Sequence, residues 1–597
     1  MKTELGPTRE MVDLSGFWHF RTDPEAKGEN EEWFALERYL EWDKIYAPAP
    51  WNEQASEYAW YMGKAWYARE FFVPKDWSDK LVLLSLDGVN YYAKIWVNGI
   101  YRGEHEGGFT PFTFRTEKHV NFGEENRIVI MVDNTLSRKT IPPGEGMNNK
   151  YFGFFHYGGI HREVRLLALP RLHIDDVTIR TDIQGRNGIV DFDLDLSNET
   201  DLEVTGKLII HVIDKKEVVA MKTLNLTINP HARMPIKDEL TIDDAKFWEV
   251  ESPNLYLLRV CVADNMGTRD IVETRFGVRT IKIENGRILL NGRPVFLKGV
   301  CRHEDFPILG KTLHGAILRR DFDLMTDLGA NSFRTSHYPY SRSHLDLADE
   351  NGFLVILELP TVGITKEKKD GVRGLERLDD PEMIEKARKM LGEMIQRDKN
   401  RPSVIMYSLF NEPSSHFEEF RTFLKELKEE AKRMDPTRPV TFASDHHQKE
   451  EEKADKALDI VDVICMNFYF GWYGSERGNL KEAESTLDDR LEWLHGKYPN
   501  KPIIVSEFGA EAMAGLHTKP PEMWSEEYQA EFIRTYWKVL TSKDYIYGGH
   551  IWVFADFKIG QDWPTTMNRK GLFTRTREPK LAASVVKDLF SKTPTYR

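Results

Sequence analysis

The chain of 597 residues lacks the features that would assign it to several special classes of protein. Its three cysteines, Cys261, Cys301 and Cys465, are odd in number and far apart, so they imply no disulfide framework. No stretch approaches the roughly 18 apolar residues of a transmembrane helix, and the polar first ten residues form no signal segment. These absences predict a cytoplasmic protein that has no membrane partner.

An excess of positive charge is also lacking. The 82 Lys and Arg residues stand against 95 Asp and Glu residues, which gives a formal net charge of −13. Because such a chain repels phosphate backbones, we expect no nucleic-acid partner. The sequence has no Walker loop, no GxGxxG fingerprint and no GxSxG elbow. Residues 303–305 and 445–447 carry metal-type side chains without the spacing of a zinc site, so we expect no metal and no cofactor.

Two regions that are rich in β-type residues come first. Hydrophobic residues make up 41% and charged residues 30%, which is ordinary for globular domains. Short apolar runs at 81–86, 91–97 and 127–132 are separated by turn residues, and Asn98-Gly99 is typical of a hairpin. We predict a jelly-roll-like β-sandwich over residues 1–169. The strict alternation at 191–196, with runs at 208–212 and 256–262, predicts an immunoglobulin-like β-sandwich over residues 170–277.

The pattern changes in residues 278–597. Eight apolar runs alternate there with amphipathic stretches such as 316–328, 381–397, 417–434 and 526–540, and 581–589 would be the last helix. The runs are 294–300, 330–336, 353–359, 403–410, 439–444, 460–468, 502–507 and 549–554. Eight strands that are each followed by a helix form a (β/α)8 TIM barrel, whose active site lies at the C-terminal ends of the strands. We interpret the charged run 449–456 as a solvated helix face.

Carboxylates follow two of these runs. Glu412 comes after the fourth run and Glu507 ends the seventh, roughly across the barrel from each other. Two carboxyl groups over one barrel mouth suit glycoside hydrolysis, in which one is a proton donor and the other is ionised. Either residue alone would also fit a helix cap or a strand end. Other strand-end residues, among them His337, Tyr469, Tyr473 and Trp552, supply the hydrogen-bonding and stacking groups that a sugar needs.

The order of domains, the Asn411-Glu412-Pro413 step and the 506–509 segment (SEFG) resemble glycoside hydrolase family 2, and within it the β-glucuronidases. The segments 159–162 (GIHR), 334–340 (RTSHYPY), 469–473 (YFGWY) and 554–557 (FADF) support the resemblance over nearly the whole chain. It implies that Glu412 is the general acid/base and Glu507 the nucleophile of a retaining double displacement. It also implies that Asn411 binds the sugar 2-hydroxyl and that Tyr469 hydrogen-bonds the nucleophile. Tyr473, His337 and Trp552 match residues of the sugar pocket.

The Asn568-Arg569-Lys570 step bears on the substrate. In the β-glucuronidases, which the chain resembles, an Asn-x-Lys step at this place binds the C6 carboxylate of the sugar. An ammonium and an amide both donate hydrogen bonds to an anion, so the step favours a uronic acid over a neutral hexose.

Three positions depart from the family pattern. Gly153 stands where relatives carry an Asp near the sugar 4-hydroxyl, Pro564 where an Arg is common, and Phe468 where an Arg is usual. His156 is a candidate to replace the lost contact. These changes suggest a rebuilt pocket around C4, which would admit an axial 4-hydroxyl.

We therefore expect a retaining exo-β-D-hexuronidase of the β-glucuronidase type. The alternative is a β-galacturonidase or dual hexuronidase, and a β-galactosidase or a non-catalytic carbohydrate-binding protein ranks lower. The short charged segment between Gly363 and Pro381 predicts an open site, able to take small-molecule or oligosaccharide hexuronides. By resemblance we expect a homo-oligomer, either a tetramer or a dimer.

Overall fold

A computed structural model describes residues 6–35, 37–145, 153–366, 374–560 and 566–597. The chain divides into two compact units. The first contains residues 1–135, 157–279 and 396–402, and the second contains residues 136–156, 280–395 and 403–597. Among the described residues, none of the helices is both long enough and apolar enough to cross a membrane.

The first domain is a β-sandwich within the first unit. Its sheets have the strand orders β3-β2-β4-β10-β7-β8 and β1-β12-β5-β9, with β11 paired to β6. The strands are β1 (Glu10–Asp13), β2 (Gly16–Asp23), β3 (Asp43–Ala47), β4 (Lys64–Val73), β5 (Leu81–Leu86), β6 (Val89–Asn90), β7 (Tyr92–Val97), β8 (Ile100–Glu106), β9 (Phe112–Arg115), β10 (Glu124–Asp133), β11 (Gly159–Ile160) and β12 (Val164–Leu169). The predicted hairpin forms between β7 and β8, where Asn98 and Gly99 have φ values of 51° and 77°.

The second domain is the predicted immunoglobulin-like sandwich. Sheets of strand order β13-β14-β17 and β16-β15-β18-β19 enclose its core. The strands are β13 (Leu172–Gln184), β14 (Asn187–Asn198), β15 (Val204–Asp214), β16 (Glu217–Ile228), β17 (Ala232–Ile242), β18 (Tyr256–Asp264) and β19 (Gly267–Phe276). Along β14, Phe192, Leu194 and Leu196 are buried while Asp191 and Asp195 are exposed, as the alternation predicts.

The third domain contains the predicted barrel, which closes through eight parallel strands. Three short strands precede it, namely β20 (Ile281–Glu284), β21 (Arg287–Leu290) and β22 (Arg293–Pro294). The barrel strands are β23 (Leu297–Cys301), β24 (Ser332–Arg334), β25 (Leu354–Glu358), β26 (Val404–Asn411), β27 (Val440–Ser444), β28 (Ile464–Asn467), β29 (Ile503–Phe508) and β30 (Ile546–Ile551). A hairpin of β31 (Phe557–Lys558) and β32 (Met567–Asn568) follows β30.

Seven α-helices surround these strands in the part of the chain that the structure describes. They are α1 (Gly315–Asp327), α2 (Arg342–Asn351), α3 (Pro381–Asp398), α4 (Glu418–Met434), α5 (Leu480–Lys497), α6 (Glu526–Thr541) and α7 (Leu581–Lys592). The eighth strand, β30, starts at Ile546, before the predicted start at residue 549. Its Gly548 lies so close to β23 that an added Cβ would be 2.6 Å from the Leu297 Cβ, and this glycine interrupts the apolar run.

The connection from β27 to β28 corrects the prediction of a helix after every strand. Residues 445–463, all described, form turns, and the charged run 449–456 is therefore not a helix face. The buried Asp455 carboxylate organises this connection. It accepts hydrogen bonds from the hydroxyls of Ser415 and Ser444, both at 2.5 Å, and from the N–H groups of Ala457 and Leu458 at 2.7 and 3.1 Å. A side chain that binds nearby N–H groups competes with helix formation.

We predict that Asp455→Ala destabilises the protein strongly, because it leaves two buried N–H groups and two hydroxyls without their acceptor. Each stranded group costs about 1–3 kcal/mol, so the midpoint of thermal unfolding should fall by several degrees. Asp459→Ala is the matched control in the same segment, since Asp459 forms a half-exposed ion pair with Arg421 worth about 0–1 kcal/mol. Equal midpoints for the two variants would contradict the role given to Asp455.

Candidate active site

Glu412 and Glu507 both lie at the C-terminal ends of barrel strands. Glu507 belongs to β29 and is buried, whereas Glu412 directly follows β26 and is half-buried. The pairing of β26 with β27 shifts register between Ser408 and Asn411, and Glu412 has a left-handed φ of 45°. Such a bulge and a non-glycine residue with positive φ are typical of positions where a side chain is aimed at a functional site. The Asn467 amide donates to Glu412 Oε1 at 3.0 Å.

The guanidinium of Arg334 connects the groups of this site. From the end of β24 it donates to Glu507 Oε1 at 2.7 Å and to Asn411 Oδ1 at 2.6 Å. It also donates through Nε to Glu358 Oε2 at 2.6 Å. Arginine has five N–H donors in a rigid plane, so one buried side chain can fix several acceptors at once.

Glu358 was missed as a site residue by sequence reasoning. Besides Arg334, its carboxylate contacts His337 Nδ1 at 2.7 Å and accepts from the Ser408 hydroxyl at 2.7 Å. Burial raises the pKa of Glu358, but the charge of Arg334 and the hydrogen bond to His337 outweigh burial and lower it below the usual value. The signal was present in the sequence, because Glu358 is a single carboxylate at the end of the apolar strand β25. Glu412 and Glu507 have the same kind of position at the ends of β26 and β29.

Opposing effects act on the pKa of Glu507. Burial raises it, the charges of Arg334 and His337 lower it, and the charge of Glu412 raises it again, with a net increase. The Tyr469 hydroxyl donates to Glu507 Oε2 at 2.6 Å and favours the ionised carboxylate. Burial and the neighbouring carboxylates raise the pKa of Tyr469 well above its ordinary value, so this hydroxyl remains a donor.

An aromatic wall lines the same end of the barrel. The imidazole of His337 stacks on Trp552, with 5.1 Å between ring centroids and 17° between planes. His303 packs edge-on against Trp552 at 5.5 Å, and Phe154, from the segment 136–156, lies 5.2 Å from His303. Sequence reasoning did not single out Phe154 as a wall residue, because a lone aromatic residue carries no positional signal. Such a wall can pack against the C–H faces of a sugar.

Lys570 is a buried cation near Tyr469. Its ammonium donates to the Tyr473 hydroxyl at 2.9 Å and lies 3.4 Å from Glu511 Oε1. Burial lowers the pKa of Lys570, but the nearby Tyr473 and Glu511 raise it to above its ordinary value, so the ammonium stays charged. The backbone N–H of Lys570 donates to Asn568 Oδ1 at 3.1 Å, and this hydrogen bond holds the Asn568 side chain beside the Lys570 backbone. Glu511 is a second residue that sequence reasoning missed.

The positions that depart from the resembled family have different surroundings. His156 is buried within the second unit. Gly153 has a φ of 67°, and among the described residues nothing lies within 4 Å of a Cβ built there. Phe468 is buried and stacks on Phe470 at 5.5 Å. Pro564 and residues 367–373 of the segment after β25 lie outside the described residues.

The described residues also contain no group of three or more His, Cys, Asp or Glu side chains placed to hold a metal ion. Within the candidate metal-type stretches, Asp305 is instead ion-paired with Arg575 at 2.6 Å, and the Glu304 carboxylate accepts from the Ser341 N–H at 2.9 Å.

Comparison with known families covers nearly the whole chain. Residues 11–170 match the sugar binding domain of glycosyl hydrolases family 2, residues 172–279 match a second domain of that family, and residues 281–594 match its TIM barrel domain. The chain belongs to glycoside hydrolase family 2. This membership makes it an O-glycosyl hydrolase, and it confirms the predicted resemblance and the order of sandwich, immunoglobulin-like domain and barrel.

Individual relatives of this family 2 enzyme are similar over their full length. The β-glucuronidase of Paenibacillus borealis is 37% identical, with 99% of this chain and 98% of the relative covered. The β-glucuronidase of Mus musculus is 35% identical, with 98% of this chain and 91% of the relative covered. The solved structure of Ruminococcus gnavus β-glucuronidase in complex with D-glucaro-1,5-lactone has a TM-score of 0.91 at 33% identity, covering 99% of each chain. The β-D-glucuronidase structure from Dictyoglomus thermophilum has a TM-score of 0.88 at 35% identity, covering 100% of this chain and 99% of that one.

We predict that Tyr469→Phe moves the acidic limb of the kcat/KM profile of this family 2 enzyme to higher pH. The lost hydrogen bond lowers the pKa of Glu507 in the wild type, so its removal raises that pKa. The nucleophile role predicted for Glu507 requires its ionised form, so we expect activity to be lost at a higher pH. Tyr473→Phe is the control, because that hydroxyl contacts Lys570 instead. An unmoved limb in Tyr469→Phe would refute this coupling.

Glu358→Gln should move the same limb in the opposite direction. The substitution removes the negative charge of Glu358, which partly neutralises Arg334. More of the guanidinium charge then stabilises ionised Glu507, so the pKa of Glu507 falls. We also expect kcat to decrease, because Arg334 and His337 lose their common anchor. Glu304→Gln serves as the control, since this carboxylate is equally buried but lies against His344 at 3.3 Å. A shift to higher pH in Glu358→Gln would contradict the assignment.

Proposed function

We propose that this family 2 enzyme is a retaining exo-β-D-glucuronidase that removes a terminal glucuronic acid from β-glucuronides. The observation that carries the proposal is the buried, charged ammonium of Lys570 beside Tyr469, which in turn donates to Glu507. The similarity to the β-glucuronidases of Paenibacillus borealis, Mus musculus and Ruminococcus gnavus supports the same substrate class.

In the proposed reaction, the Glu507 carboxylate attacks the anomeric carbon while protonated Glu412 donates its proton to the leaving oxygen. The glycosidic bond breaks and a covalent glycosyl-enzyme ester forms. Glu412, now ionised, then takes a proton from a water molecule, whose oxygen attacks the anomeric carbon and releases Glu507. Two displacements restore the original configuration, and this route requires carboxyl groups about 5–5.5 Å apart.

Arg334 supports this cycle in two ways. Its charge favours ionised Glu507 before the attack, and its contact with Asn411 Oδ1 leaves the Asn411 amide nitrogen to donate to the sugar 2-hydroxyl. The Tyr469 hydroxyl holds the attacking carboxylate in place. Stacked His337 and Trp552 would form one wall of the sugar pocket.

The preference for a uronic acid rests on the hydrogen-bonding capacity of Lys570. An ammonium has three donors. Tyr473 and Glu511 take two of them, and among the described residues no third acceptor contacts Lys570. The C6 carboxylate of a uronide would supply that acceptor, with the Asn568 side chain beside it. A neutral hexose would offer only a hydroxyl, which makes a β-galactosidase the poorer proposal.

A second candidate is activity on β-galacturonides. It is favoured by Gly153, where the absence of a side chain leaves space that no described atom fills within 4 Å. The carboxylate that would bind an equatorial 4-hydroxyl is missing at this position. We propose His156 as the residue that restores a contact near C4.

The assembly and the division of the chain complete the proposal. We propose domains at residues 1–169, 170–277 and 278–597, with the barrel as the catalytic domain and the β domains as scaffold. A homo-oligomer, tetramer or dimer, is proposed from family membership. The aglycone is proposed to be a small molecule or an oligosaccharide.

We predict that Lys570→Met lowers kcat/KM for p-nitrophenyl β-D-glucuronide by about 10²-fold or more, because it removes a charge-assisted contact in a buried site. The same change should leave any activity on p-nitrophenyl β-D-glucoside nearly unaltered, and β-D-galacturonide measured alongside reports the preference at C4. Lys538→Met is the control, since Lys538 forms only an exposed ion pair with Glu484.

The panel separates the candidates. Preference for glucuronide that disappears in Lys570→Met supports the proposal, whereas equal rates on both uronides in the wild type support the second candidate. Wild-type preference for a neutral glycoside would overturn the role of Lys570. Turnover that persists in Glu507→Ala would overturn the role of the nucleophile.

A further inference from the structure

A cavity of about 580 Å³ lies in the first unit, among residues of both β domains. Four cationic side chains line it, Arg102, Arg115, Lys118 and Arg171, against two carboxylates. In a chain whose net charge is −13, a concave surface with an excess of cations is unusual. Its volume falls in the range of about 300–1,000 Å³ that is typical of small-ligand sites.

The cations of this cavity differ in how they are paired. Arg115 is neutralised, because its guanidinium contacts Glu117 at 2.9 Å and Glu199 at 3.2 Å. Arg102 and Lys118 have no carboxylate or hydrogen-bond partner among the described residues. Burial and the nearby charge of Arg102 lower the pKa of His119. Two uncompensated cations therefore face the cavity.

Buried polar atoms without partners point to the kind of ligand. Within the described residues, Arg102 Nε, His119 Nδ1 and Glu117 Oε2 are buried and have no hydrogen-bond partner. Buried polar atoms are nearly always paired in folded proteins, so three such atoms around one cavity favour a site for a polar ligand. Arg102 Nε is a donor, whereas Glu117 Oε2 is an acceptor that needs a hydroxyl or N–H group.

We propose that this cavity is a binding site for an acidic sugar, an oligosaccharide unit that carries both carboxylates and hydroxyl groups. The carboxylate would lie against Arg102 and Lys118, and a hydroxyl would donate to Glu117. An inorganic anion meets only the first requirement, and a neutral sugar meets only the second. The inference rests on the first unit alone and does not depend on the proposed function of the barrel.

The test uses the full-length enzyme and α-linked tri-D-galacturonate, which a β-specific enzyme does not cleave. Calorimetric titration should give saturable binding, and turnover of p-nitrophenyl β-D-glucuronide in the same mixture reports occupancy of the barrel site. The double variant Arg102→Gln/Lys118→Gln should bind about tenfold or more weakly, with kcat/KM unchanged. Lys207→Gln/Lys216→Gln removes two exposed charges of the same unit and should bind like wild type.

Further arms identify the ligand class. Maltotriose and sodium sulfate should bind much more weakly than the trisaccharide, and Glu117→Ala should weaken the trisaccharide but not sulfate. Sulfate that binds as tightly as the trisaccharide would overturn the sugar part of the proposal. Unchanged binding in Arg102→Gln/Lys118→Gln would overturn the proposed site. Inhibition of turnover that accounts for all of the binding would also overturn it, because the trisaccharide would then occupy the barrel site.

Discussion

The buried guanidinium of Arg334 holds three acidic or polar groups of the barrel in one arrangement: Glu507, Glu358 and Asn411. Two buried carboxylates without a cation would repel each other and take up protons. Their common contact with one planar cation lowers the pKa of both carboxyls against the effect of burial and fixes their directions. The strands β24, β25, β26 and β29 each contribute one member of this cluster, so the geometry of the cluster depends on the closure of the barrel.

The electrostatics around Glu507 illustrate how the fold tunes a reactive group. Burial raises its pKa, and Arg334, His337 and Tyr469 each pull the pKa down. The charge of Glu412 raises the pKa again, and the net direction is upward. Lys570 shows the reverse balance, since a buried ammonium keeps its charge only because Tyr473 and Glu511 stand next to it.

The candidate acid/base lies where a regular barrel strand gives way to irregular backbone. The bulge in β26 and the left-handed backbone of Glu412 place this carboxylate where a regular strand would not. The turn held by Asp455 replaces a helix and fixes Ser415, three residues after Glu412. Irregular backbone is therefore concentrated where the candidate acid/base is positioned, as is typical of functional sites.

Sequence patterns alone were enough to predict three domains in order, the eight barrel strands and the two strand-end carboxylates. Each of these has a local cause, namely alternation along β14, apolar runs, or a polar residue that ends such a run. Glu358 carries the same local signal as Glu507, but its partners come from residues 334, 337 and 408, which only barrel closure brings together. The pairing of Lys570 with Glu511 likewise joins positions 59 residues apart. Local periodicity determines elements, whereas the identity of a buried ion's partners is a property of the tertiary structure, because charge balance in a low-dielectric interior depends on distances in space.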